Sequence, residues 1–161
     1  MPGLGLLSYV VGDATAPQAD DAAVIAHVCN DIGGWGRGFV VALSNRWPAP
    51  ERQYRQWYAE RDTNDFGLGA VQFVEVDDQL WVANMVGQRG LKRTNAGPPV
   101  RYDAIETALA AVADNARVLD ATVHMPRIGC GLAGGDWEEI EQVLERTLTT
   151  SGMDATVYDL A

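Results

Sequence analysis

Two glycine-rich segments have the composition best suited to binding an anion. The first covers residues 33–38 (GGWGRG) and the second covers residues 129–135 (GCGLAGG). Glycine lets backbone N–H groups approach a phosphate closely, and the N-terminus of a following helix adds a favourable partial charge. A single segment of this kind would be explained better by tight turns. Two segments facing each other predict a clamp for a diphosphate.

Neither segment matches a common nucleotide-binding fingerprint. The sequence has no G-x-x-x-x-G-K-[ST] pattern, and its only lysine, Lys92, lies outside both segments. A P-loop NTPase is therefore excluded. The first segment also lacks the G-x-G-x-x-G spacing after its strand, which disfavours a Rossmann dinucleotide site.

The hydrophobic pattern indicates the elements that position these segments. Strands are predicted at residues 4–11, 22–29, 70–76, 79–86, 121–128 and 155–160, helices at 39–46, 51–61, 102–116 and 136–149, and a loop at 87–100. Interleaved strands and helices with one hairpin predict an α/β fold, a three-layer α/β/α domain with a mixed β-sheet. Each glycine-rich segment follows a strand and precedes a helix, so both fall at the sheet edge where such folds bind ligands.

Length, charge and cysteine content restrict the class of protein. The 161 residues predict one domain over 1–161, and a net charge of −10 argues against nucleic acid or an anionic membrane as partner. Two cysteines, no signal peptide and no apolar run of about 20 residues predict a cytoplasmic protein. The two histidines, His27 and His124, are flanked by apolar residues, so we expect core positions and no metal site. We expect no cofactor and a monomer.

Two motifs resemble those of the macrodomain family. Residues 12–15 (GDAT) follow the first strand, as the family's G-D motif does, and residues 125–132 (MPRIGCGL) resemble its phosphate loop. The resemblance runs from about Leu6 to Leu160. Residues 27–30 (HVCN) and 35–38 (WGRG) place the chain nearest the subgroup that includes the terminal ADP-ribose protein glycohydrolase.

The resemblance implies an ADP-ribose pocket. Asp13 would accept a hydrogen bond from the adenine amino group, besides forming a turn, and Asn30 would face the distal ribose. Trp35 would cover that ribose as a flat lid or lie partly buried at the surface, and Tyr158 would lie against adenine or in the core. The implied ADP-ribose-binding residues are Asp13, Ala14, Asn30, Gly34, Trp35, Gly36, Arg37, Gly38, Ile128, Gly129, Cys130, Gly131, Leu132 and Tyr158.

The sequence departs from the resembled glycohydrolase at both of its catalytic positions. Gln88 stands where that enzyme has a lysine, and Ala133 where it has an aspartate. The nearest carboxylate, Asp136, is predicted to cap a helix, with Glu139 as its capping-box partner. Asp136 has either this capping role alone or a second role as a general acid or base. The candidate catalytic residues are therefore Gln88, Asp136 and Asn30. Cys130 is rejected as a nucleophile because no histidine is placed near it.

The resemblance implies a hydrolase that releases ADP-ribose from carboxylate side chains of ADP-ribosylated proteins, with ADP-ribose and those proteins as partners. A non-catalytic ADP-ribose-binding module and an ADP-ribose-1″-phosphate phosphatase are the alternatives. Arg89, Lys92 and Arg93 form a basic run in the predicted 87–100 loop. This run is interpreted either as a solvated face or as a contact for phosphates or an acidic partner.

Overall fold

The computed structural model describes residues 3–160 as alternating strands and helices. The strands are β1 (Leu7–Val11), β2 (Ala23–Asn30), β3 (Val71–Asp77), β4 (Leu80–Gln88), β5 (Thr122–Met125) and β6 (Ala155–Asp159). The α-helices are α1 (Phe39–Arg46), α2 (Ala49–Ala59), α3 (Tyr102–Leu119) and α4 (Trp137–Thr147). Short 3₁₀ turns cover Arg61–Thr63, Gly131–Ala133 and Thr149–Ser151. Within residues 3–160, no helix combines the length and the apolar character needed to cross a bilayer.

The six strands form one mixed sheet in the order β1-β6-β5-β2-β4-β3. Every neighbouring pair is parallel except β3 and β4, which form the antiparallel hairpin that the sequence predicted. The five parallel strands therefore end at one edge of the sheet, at Val11, Asn30, Gln88, Met125 and Asp159. Both glycine-rich segments leave from this edge.

Helices cover both faces of the sheet, which confirms the three-layer α/β/α prediction. On α3, Ile105, Leu109 and Val112 recur at helical spacing and are fully buried with α4 in one core cluster. On α1 and α2, Leu43 and Tyr54 are buried in a second cluster. Side chains of β2 alternate between the two clusters, because successive strand residues point to opposite faces.

Several predicted boundaries differ from the observed ones. The strand predicted to 128 ends at Met125, and residues 126–128 instead form part of the cavity wall. The loop predicted from 87 begins after Gln88, because Gln88 still pairs with Asn30 of β2 in the parallel sheet. The helix predicted from 51 begins at Ala49 and includes Pro50, since the first turn of a helix does not use the N–H that proline lacks.

Both histidines are buried inside the sheet, as the sequence indicated. His27 Nε2 lies 2.5 Å from Asn84 Oδ1, and His124 lies within hydrogen-bond distance of the Thr122 and Tyr158 hydroxyls. The Asn84 amide nitrogen already donates to other oxygens, so the hydrogen of this pair belongs to His27 Nε2. Burial lowers the pKa of each histidine to about 4, so both are neutral at neutral pH.

We expect the free energy of unfolding to fall as the pH drops below about 6.5. The histidine pKa values are lower in the folded chain, so the unfolded chain binds protons first, and the loss ends near the folded pKa of about 4. Between about pH 6.5 and pH 5, denaturant unfolding should show a loss of about 2–3 kcal/mol. Carboxylates titrate mostly below this window. His124→Gln should remove roughly half of the loss, and a flat profile across the window would contradict the assignment.

Candidate functional site

A cavity of about 890 Å³ lies at the carboxyl edge of the sheet, between the two glycine-rich segments. A Cβ atom on Gly38 would lie 3.7 Å from Leu132 Cδ1, so the two segments nearly meet across it. This confirms that the segments face each other. The sequence-predicted residues that line the cavity are Asn30, Gly34, Trp35, Gly36, Arg37, Gly38, Gln88, Ile128, Gly129, Cys130, Gly131 and Leu132.

Other lining residues were not selected from the sequence. Several belong to the motifs at 27–30 and 125–132 or directly follow the first segment, and Lys92 belongs to the basic run of the predicted 87–100 loop. Arg55 comes from α2, where its spacing from Glu51 indicates only a helix-surface ion pair; in the structure its Nη1 also donates to Gly33 O at 3.2 Å. The additional lining residues are His27, Val28, Cys29, Phe39, Val40, Arg55, Leu91, Lys92, Pro126, Arg127 and Ala133.

Asn30 organises the first glycine-rich segment. Its Oδ1 accepts hydrogen bonds from the N–H groups of Ile32 at 3.0 Å and Gly34 at 2.9 Å, and its Nδ2 donates to Gly34 O at 2.8 Å. The Tyr54 hydroxyl of α2 donates to Asn30 O at 2.7 Å and lies 3.0 Å from Oδ1. The buried Asn30 amide therefore fixes the shape of the segment.

Trp35 lies in the wall of the cavity and not over its mouth, which corrects the expectation of a lid. Only 7% of the residue is exposed. Its Nε1 donates to Ser44 Oγ at 2.8 Å, and its ring packs 5.4 Å from the ring centres of both His27 and Tyr54. For a side chain of this size, burial against two aromatic neighbours is more favourable in free energy than exposure to solvent.

The second glycine-rich segment folds back on itself. Gly135 N donates to Gly129 O at 2.7 Å, and a Cβ on Gly135 would lie only 2.2 Å from that oxygen. A side chain is therefore excluded at Gly135 by the loop itself. By contrast, a Cβ on Gly36 would meet no atom within 4 Å. Burial raises the pKa of the Cys130 thiol in this segment, which supports its rejection as a nucleophile.

Gln88 forms the third wall of the cavity. Its Nε2 donates to Gly90 O at 2.9 Å, and Gly90 N donates to Asp31 Oδ1 at 2.7 Å. The loop after β4 is thereby tied to the ends of both β2 and β4. Among residues 3–160, no group donates a hydrogen bond to Gln88 Oε1, so this oxygen keeps its capacity as an acceptor.

Asp136 is exposed and lies outside the residues that line the cavity. Its Oδ1 accepts from Glu138 N at 3.0 Å, which confirms the predicted helix cap. The capping-box partner was predicted wrongly. Asp136 N donates to the Tyr102 hydroxyl at 2.8 Å, so the group that Glu139 would have bound is already occupied.

The residues expected around adenine also lie outside the cavity wall. Asp13 Oδ1 accepts from Thr15 N at 2.9 Å and Thr15 Oγ1 at 2.8 Å, and these bonds lower the pKa of the carboxyl below its usual value. Ala14 is buried beside it. Tyr158 is a core residue whose hydroxyl accepts from Gln18 N at 2.8 Å and contacts His124, so its ring is not placed as a stacking surface.

The fold recurs in a solved structure. The structure of a macrodomain protein from Streptomyces coelicolor is 57% identical, with a TM-score of 0.87, and the match covers 96% of this chain and 99% of that one. The chain belongs to the macrodomain family. No family model matches it.

Curated relatives of this macrodomain have two kinds of name. The "Chromodomain-helicase-DNA-binding protein 1-like" of Danio rerio is 34% identical over 94% of the macrodomain, which spans only 15% of that relative's length. The "ADP-ribose 1″-phosphate phosphatase" of Lodderomyces elongisporus is 26% identical over 94% of the macrodomain and 97% of its own length. The resemblance to the terminal glycohydrolase subgroup stays a prediction.

Replacing Asn30 with alanine should loosen the first glycine-rich segment. The N–H groups of Ile32 and Gly34 would lose their acceptor in a partly buried site, at a cost of about 1–3 kcal/mol in the free energy of unfolding. Amide hydrogen exchange should accelerate at Ile32 and Gly34. Asn115→Ala, on the exposed face of α3, is the matched control. Unchanged exchange at both amides would refute the organising role of Asn30.

Proposed function

We propose that the cavity binds ADP-ribose and that the protein hydrolyses ADP-ribose from carboxylate side chains of ADP-ribosylated proteins. One observation carries the proposal: a cavity of about 890 Å³ enclosed by two facing glycine-rich segments of a macrodomain. Its volume is in the range of small-molecule sites, roughly 300–1,000 Å³. The diphosphate would lie between the segments, where backbone N–H groups are accessible.

Recognition of the diphosphate by backbone groups explains how a chain of net charge −10 would bind an anion. Two of the arginines that line the cavity already have carboxylate partners, Arg55 with Glu51 and Arg127 with Asp159. The distal ribose would lie at the end formed by Asn30 and Gln88. Adenine would extend toward Asp13 at the end of β1, where Thr15 occupies Oδ1 and leaves Oδ2 as an acceptor, 4.0 Å from Arg46.

Hydrolysis would rely on an oriented water molecule. The anomeric carbon–oxygen bond to the protein carboxylate breaks, the water oxygen bonds to that carbon, and the proton leaves to solvent or to the phosphate. Gln88 Oε1 would accept a hydrogen bond from this water, and positioning alone lowers barriers substantially. Glutamine forms no Schiff base, so no covalent intermediate is expected. Asp136 is left out of this catalytic set, because its carboxylate caps α4 outside the cavity.

Phosphatase action on ADP-ribose-1″-phosphate is the second candidate. It is supported by the curated relative of that name from Lodderomyces elongisporus, which aligns along 97% of its own length. The same cavity would hold the nucleotide, and the leaving group at the distal ribose would be phosphate in place of a protein carboxylate.

Incubation with proteins ADP-ribosylated on glutamate, serine or arginine, and with ADP-ribose-1″-phosphate, tests the reaction. We expect release from the glutamate linkage, and Gln88→Ala should lower kcat by roughly 10-fold to 100-fold at unchanged ADP-ribose affinity. Borohydride should trap no adduct on Lys92, the only lysine. Phosphate release alone would favour the second candidate. Tight ADP-ribose binding without any release would indicate a binding module.

Gly36→Val should weaken ADP-ribose binding without unfolding the domain. A Cβ atom at this position meets no protein atom within 4 Å, so the fold accepts the substitution, whereas the diphosphate would be displaced. Calorimetry should show affinity reduced by about tenfold or more, equivalent to about 1.4 kcal/mol. Gly67→Val is the matched control, since its Cβ also meets nothing and it does not line the cavity. Binding at wild-type affinity by Gly36→Val would remove the diphosphate from this segment.

A further inference from the structure

A second pocket, which we call the loop pocket, adjoins the cavity. Its volume is about 820 Å³. Two of its lining residues, Leu91 and Lys92, also line the cavity, so the two spaces share a wall. The loop pocket is lined by Asp31, Ile32, Arg89, Gly90, Leu91, Lys92, Thr94, Ala96 and Arg101.

The loop pocket is basic in a chain that is otherwise strongly acidic. Arg89 and Lys92 are exposed, and within residues 3–160 no carboxylate lies within 4.0 Å of either side-chain cation. Arg101 donates from Nη1 to three backbone carbonyls, which satisfies the hydrogens of that nitrogen without neutralising the charge of the side chain. The only acid in the lining, Asp31, accepts the hydrogen bond of Gly90 N. The lining thus has an excess of positive charge.

Apolar side chains accompany these cations. Ile32 is 49% exposed and Leu91 is 55% exposed, and Ala96 lies in the same lining. Neighbouring apolar and cationic groups match a peptide that has both carboxylates and apolar side chains. A chain of phosphates would neutralise the cations but leave Ile32 and Leu91 facing water, so the mixed lining favours a peptide.

The position of the wall between the cavity and the loop pocket determines which part of a bound substrate would lie in the loop pocket. Gly90 is tied to Gln88 and Asp31, at the cavity end where the proposed function places the distal ribose. A protein attached to that ribose would leave the cavity beside Leu91 and Lys92. We propose that the loop pocket binds the acidic segment flanking the modified side chain of an ADP-ribosylated protein, with Arg89 and Lys92 pairing with its carboxylates. The inference rests on the proposed function for the direction in which ADP-ribose lies.

The test compares two peptides that carry ADP-ribose through a hydrolysis-resistant linkage, one flanked by glutamates and one by glutamines. Wild type should bind the glutamate-flanked peptide about three- to tenfold more tightly, the range expected of exposed charge pairs, and salt should erase the difference. Arg89→Gln should remove most of the preference at unchanged affinity for free ADP-ribose, because Arg89 lines the loop pocket only. Arg52→Gln, an exposed arginine of α2 that lines neither space, should keep it.

Equal affinity of wild type for the two peptides, with free ADP-ribose still bound, would overturn this inference and leave the proposed function standing. An ADP-ribose oligomer that binds more tightly than the monomer, with the gain lost in Arg89→Gln, would overturn it in favour of a nucleotide chain. Failure to bind free ADP-ribose would overturn both proposals. If the preference for the glutamate-flanked peptide is retained but ADP-ribose is released from no linkage, only the proposed hydrolase activity would be refuted.

Discussion

The hydrogen bonds of the Asn30 side chain tie the end of β2 to the first glycine-rich segment, and the open cavity depends on them. Without these bonds, the N–H groups of Ile32 and Gly34 would lack an acceptor. The first segment would then not be held apart from the second one. Tyr54 adds a second constraint, because its hydroxyl connects α2 to the same amide and to the Asn30 carbonyl. The shape of the cavity therefore depends on α2 as well as on the edge of the sheet.

Parallel strands explain why the site lies where it does. The five parallel strands end at one edge, and the connections after β2, β4 and β5 leave from that edge before a helix returns over a face. The backbone N–H groups at this edge act over short distances, so their ability to donate hydrogen bonds does not depend on the net charge of the chain. The proposed anion site at this edge is therefore compatible with an acidic chain, and the basic loop pocket lies beside it.

The sequence predicted best what local pattern decides. The bounds of α1 match the predicted 39–46, and the facing glycine-rich segments follow from their position after buried strands. It left Trp35 and Tyr158 undecided between a ligand contact and a more buried position, because their burial depends on Ser44, His27 and His124, which pack against them from other elements. Arg55 was missed for the same reason, since its contact with Gly33 requires α2 to lie against the first segment.

Gln88, which stands where the resembled glycohydrolase has a catalytic lysine, has a structural role of its own in the site. Its Nε2 holds Gly90 O and so helps to shape the wall between the cavity and the loop pocket. Nε2 uses one of its two hydrogens in that bond, and Oε1 remains as an acceptor with no covalent chemistry of its own. An acceptor at this place orients a hydroxyl or a water by taking its hydrogen, whereas a lysine there would attack carbon. Under the proposed function, turnover at this wall would proceed through water, and its rate would depend on how rigidly Gly90 is held by Gln88 and Asp31.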